Sequence, residues 1–149
     1  MRKKIVMAVV ALAMAAVVSV SAFAADAVPS VRGGDENTTF IAAGQVGSSA
    51  VAQAALNAIQ TTEGTVEQKL TAATSAEAVA EAVSTAGVSS ANAFTIRKVG
   101  DISTKDGDAS LYIEGTTSSM TIVVMYYTNG VWHSVKATYS NGHVNFHLP

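Results

Sequence analysis

The last thirty residues, MTIVVMYYTNGVWHSVKATYSNGHVNFHLP, contain two Asn-Gly dipeptides, Asn129-Gly130 and Asn141-Gly142, set between runs of apolar and β-branched residues. Asn-Gly favours the type I′ turn, whose two central residues both need positive φ, and a two-residue turn leaves no choice about which residues face each other. A turn at Asn129-Gly130 sets Tyr127 opposite Trp132, Tyr126 opposite His133, Val124 opposite Val135 and Ile122 opposite Ala137. A turn at Asn141-Gly142 sets Tyr139 opposite Val144, Ala137 opposite Phe146 and Val135 opposite Leu148. Further turns at Asp106-Gly107 and Thr117-Ser118 complete five strands, about 93–103, 109–116, 119–128, 131–139 and 143–148. Hairpin follows hairpin, so the expected sheet is an antiparallel meander.

Three of these turns agree on one apolar face: Leu111, Ile113, Met120, Ile122, Val124, Val135, Ala137, Tyr139, Val144, Phe146 and Leu148. A slip of one residue would turn every one of them over, so this agreement specifies register. The first strand fits less well, because Phe94 and Ile96 share parity with Lys98 and Gly100. A bulge at Gly100 is expected to restore the pattern.

Ahead of the strands the period is helical. Val51, Ala52, Ala55, Leu56 and Ile59 share a face, with Ser48 or Ser49 as N-cap, which predicts a helix over about 48–60. Thr65 with Gln68, and Thr74 with Glu77, have capping-box spacing, and Gly87 suits a left-handed helix end. They leave open whether 65–86 is one helix or two. The many alanines let helices lie close to a sheet, and the Leu111–Phe146 face is their natural partner. The expected fold is α+β, with two or three N-terminal Ala-rich helices packed on one face of a five-stranded antiparallel β-meander. This order is similar to that of cystatin-like folds, a likeness of topology alone that implies no function.

The chain opens with MRKKIVMAVVALAMAAVVSVSAFA: three bases, an uninterrupted mostly apolar run from Ile5 to Val20, and small residues at Ala22 and Ala24. That is the pattern of a cleaved secretory signal. The expected organisation is a signal over 1–24, a flexible segment over 25–38 containing Pro29 and a Gly pair, and one domain over 39–149. The sequence contains no second long apolar run, so a secreted or extracytoplasmic product without a membrane anchor is expected. With no Cys in the chain, its core must hold it without disulfides. The full chain has 9 Lys plus Arg against 11 Asp plus Glu; removal of Arg2, Lys3 and Lys4 leaves 6 against 11, a formal charge of -5. Scattered bases on an acidic chain disfavour nucleic acid or anionic lipid as partners.

The second sheet face is mixed at its ends and apolar in its middle, where Tyr112, Val123, Met125, Tyr127 and Trp132 fall together. Tyr and Trp combine large contact area with a polar tip and recur at recognition surfaces, which makes these five the candidate binding face. Aromatic cross-strand pairs also stabilise hairpins, so the same face suits a covering helix or a second copy of the protein. Catalytic signals are weak. The three histidines do not converge, no Gly-x-Ser-x-Gly elbow, phosphate loop or His-Glu-x-x-His occurs, and Glu77 with Glu81 reads as a solvated helix face. Asp106 and Asp108 sit in a turn without the rest of a calcium loop, and Asn37 opens a glycosylation sequon. The expectation is a non-enzymatic binding module without cofactor or metal, its partner an extracellular or envelope protein, peptide or glycan. The alternatives are a self-associating envelope protein that pairs through this face or the strand ending at Leu148, and last a small hydrolase using His133 or His147 as base.

Overall fold

Asn129 at φ 53° and Gly130 at φ 82° form the expected tight turn in the computed structural model, which describes residues 5–14, 38–104, 108–113, 116–140 and 142–147. The described chain contains seven strands and three helices: β1 Ile5–Met14, β2 Thr38–Ala42, α1 Ala50–Thr61, α2 Val66–Ala73, α3 Ala76–Ala86, β3 Phe94–Thr104, β4 Asp108–Leu111, β5 Thr121–Thr128, β6 Val131–Ser140 and β7 His143–His147. The fold is α+β, and every strand pair is antiparallel.

The sheet is not a single five-stranded meander. It consists of a two-stranded ladder, β2–β3, and a four-stranded ladder in the order β5-β6-β7-β4, with β1 laid between β3 and β5. The β5–β6–β7 part follows the expected register, including Tyr127 opposite Trp132 and Tyr139 opposite Val144. Thr117-Ser118, which lacks the positive-φ preference of Asn-Gly, does not make a hairpin. Instead Thr116 N–H donates to Ile113 O and Met120 N–H to Thr117 O, both at 3.2 Å. β4 is thereby freed from β5 and pairs with β7, Leu111 opposite Val144 and Asp108 opposite His147. β7 lies between β6 and β4 and is not an edge.

The Leu111–Phe146 face is buried as expected, but by the sheet itself. The two ends of the strand order meet where Ser110 N–H donates to Thr38 Oγ1 at 3.1 Å. Inside the curl, Phe40, Ile102, Leu111, Ile113, Ile122, Val124, Val144 and Phe146 form one cluster. At about 1.5–3 kcal/mol for each large buried side chain, this cluster is a major source of stability.

The helices pack on the opposite face, which corrects the expected arrangement. Ala55, Ile59, Leu70, Ala78, Val79 and Ala82 join Phe94, Val99, Val123 and Met125 in a second cluster. Their placement follows from caps and one buried tie. Ser49 caps α1 by accepting from Ala52 N–H and gives its own hydroxyl and N–H to the buried Asp101 of β3, both at 2.6 Å. Residues 65–86 are two helices: Thr65 and Gln68 form the capping box of α2, while α3 is capped by Ser75, not Thr74, and ends at Gly87 with φ 75°. A bulge in β3 brings Phe94 and Ile96 to the helix side together with Val99, while Ile102 faces the other cluster. Ala11 pairs with Lys98 and Leu12 with Ile96, so the extra residue is Arg97 rather than Gly100. Gly100 has a different job: a Cβ there would run into the Phe40 ring and the Ile41 carbonyl.

Candidate functional site

The β5–β6 hairpin holds Tyr127 and Trp132 edge to face, ring centroids 5.4 Å apart, as the turn chemistry requires. Around them the candidate face is largely covered. Val123 and Met125 have 0% exposure beneath the helices, Trp132 packs half-buried against the same helical cluster, and Tyr127 is half-buried. Thr85 of α3 and Ser134 of β6 share a hydrogen bond of 3.2 Å, a polar tie between helix and sheet on this face. Tyr112 alone among the five is exposed, at 49%; its ring meets His143 edge-on at 6.5 Å. The five candidate residues therefore do not converge on one open surface. The signal that the face is covered lies in Ile122-Val123-Val124-Met125. Four consecutive apolar residues, all buried, mark a strand with a packed layer on each side.

The histidines divide similarly. His133 stacks beside Tyr126 at 5.5 Å, the cross-strand contact that the hairpin register dictates. His147 Nδ1 lies 2.7 Å from Asp108 Oδ1 across the β4–β7 pair, with side chains 66% and 72% exposed. Such an exposed pair contributes little stability, and among the described residues no group of His, Asp or Glu has the geometry to hold a metal ion. Asn37, Asp106 and Leu148 lie outside the described residues.

A second site comes from the strand order. All ten residues of β1 pair with β3, Ile5 opposite Thr104 through Met14 opposite Phe94. Ala8 to Met14 also pair on the other side, with Tyr127 through Thr121 of β5. The residues read as the apolar part of a secretory signal are thus the strand that joins the two ladders. Were they withdrawn, β3 and β5 would face each other across a slot about two strand spacings, or roughly 9.5 Å, wide. β5, TIVVMYYT, would present an open edge with no charge and no Pro, the features by which proteins protect open edges.

No protein-family model, curated protein or solved structure matches the chain. No helix among the described residues is long and apolar enough to cross a membrane.

Proposed function

We propose that the chain is exported with loss of residues 1–24 and acts outside the cytoplasm as a non-enzymatic interaction module. The observation that carries this reading is the double identity of Ile5–Met14, signal-like in sequence and a central strand in the fold. Cleavage after Ala24 releases that strand and uncovers backbone donors and acceptors on both β3 and β5, which a binding partner satisfies. Tyr112 is the exposed remnant of the aromatic face and is proposed as a peripheral contact; Val123, Met125, Tyr127 and Trp132 support the slot from beneath the helices.

Amino-terminal sequencing of the protein recovered from the medium or envelope of a secreting host tests the export step. A sequence starting at Ala25 supports it, and an intact Met1 in all material contradicts it. Self-association is a second reading, favoured by the uncharged β5 edge. Sedimentation across a concentration series separates the two, because an interaction module with a foreign partner stays monomeric alone.

A further inference from the structure

Resting on that reading, we propose that the slot between β3 and β5 accepts a replacement strand: an extended, uncharged, proline-free segment of about ten residues from a partner protein. The direction of the strands keeps the slot from closing. β1 is antiparallel to both β3 and β5, so those two run parallel to each other. They close on one another only as a parallel pair, the one pairing mode absent among the described strands, and only if one ladder moves by about a strand spacing of 4.8 Å. That movement would crowd two packed layers at once and force both to repack. Ile102 sits with Ile122 and Val124 in one cluster, and Val99 with Val123 and Met125 in the other.

The strand that now fills the slot is equally particular. IVMAVVALAM is ten residues long, with neither charge nor Pro, and Gly100 stands opposite Val9 where the close approach of Phe40 leaves no room for a side chain on β3. The remainder of the chain has no spare segment of this kind. Residues 25–37, ADAVPSVRGGDEN, contain Pro29, a Gly pair and four charges among Asp26, Arg32, Asp35 and Glu36. The other apolar stretches are already committed to strands and helices. A second copy is equally committed, which leaves a foreign polypeptide as the donor. Recognition is chiefly through backbone hydrogen bonds, as in strand addition generally, with side chains setting register.

The test uses the full chain carrying a specific protease site after Ala24. The folded protein is cut, unfolded in urea, freed of residues 1–24 and refolded with or without a labelled peptide of residues 5–14 flanked by lysines for solubility. The uncut chain, refolded in parallel, is the control. Peptide at about a hundred times its dissociation constant is expected to raise the folded-to-unfolded ratio about a hundredfold, with one peptide bound per monomer. The same peptide with proline at the Val10 position is expected to do neither. Refolding without peptide to a monomer whose β3 and β5 amides are all protected would overturn the proposal by showing that the slot closes on itself. A peptide-indifferent dimer would assign the slot to a second copy, and failure to refold with peptide would equally refute strand replacement. Failure of the export reading is seen separately, as an uncleaved amino terminus in the secreting host.

Discussion

β5 and β1 are both short apolar runs in the middle of the same sheet, Ile122-Val123-Val124-Met125 in one and Ile5–Met14 in the other, yet only β5 announces itself as a strand. β5 is bounded by an Asn-Gly turn that pins Tyr127 to Trp132, and everything behind the turn inherits that register. β1 has no Asn-Gly or Asp-Gly dipeptide beside it in the sequence, and the residues around it, Arg2-Lys3-Lys4 and Ala22-Phe23-Ala24, have the pattern expected of a signal. An uninterrupted apolar run carries no information about faces, since alternation is what distinguishes a half-buried strand. A strand paired on both sides and the apolar part of a signal have the same sequence pattern. Their neighbours in space tell them apart.

The largest effect that sharpens this contrast belongs to β5. Met125→Ala removes a fully buried side chain from the helix-side cluster and is expected to cost about 2–5 kcal/mol in denaturant unfolding. A cost below 1 kcal/mol would mean that the helices do not lie on this face. Next, Val10→Pro in the full chain deletes a donor from a strand paired on both sides and is expected to lower stability by about 1–3 kcal/mol. Unchanged unfolding would place β1 outside the sheet and break the comparison.

Asp101→Ala comes third. It leaves the Ser49 N–H and hydroxyl without their buried acceptor, and a loss of about 1–3 kcal/mol is expected, with amide exchange quickening first in the opening turn of α1. The smallest effect is the pH dependence of Tyr126. Burial, and then the nearby negative charge of Glu81, raise its pKa above the ordinary 10.0. The folded state therefore holds the phenolic proton more tightly than the unfolded chain. Its contribution is fully present below pH 10 and declines as pH rises from there through the raised folded value. Tyr126→Phe is expected to remove that part of the alkaline decline in a pH series of thermal melts.

Much of the fold was legible where chemistry acts locally. The Asn-Gly hairpin, the Thr65–Gln68 box and the left-handed Gly87 depend on residues within four positions of each other, and each appears as read. The misplacements share a different origin. Thr117-Ser118 does not demand a tight turn, so β4 was free to join β7, and no local signal in Asp108–Leu111 names that partner. The parity change at Arg97 and the choice of face for the helices are settled by packing across the sheet. The aromatic pair was found correctly as a pair, while its burial depended on helices more than forty residues earlier in the chain. Ile5–Met14 was legible only as an apolar run, a feature that a signal's apolar segment and a strand paired on both sides have in common.

The most direct test of this account is amide hydrogen exchange on the full chain, produced without export so that residues 1–24 stay attached. If Ile5–Met14 is a central strand, the amides of Ala8 to Leu12 exchange as slowly as those of Val123 to Met125. Exchange at Ala8 to Leu12 at the rate of an unstructured peptide, with Val123 to Met125 still protected, would contradict it and remove the basis for the slot.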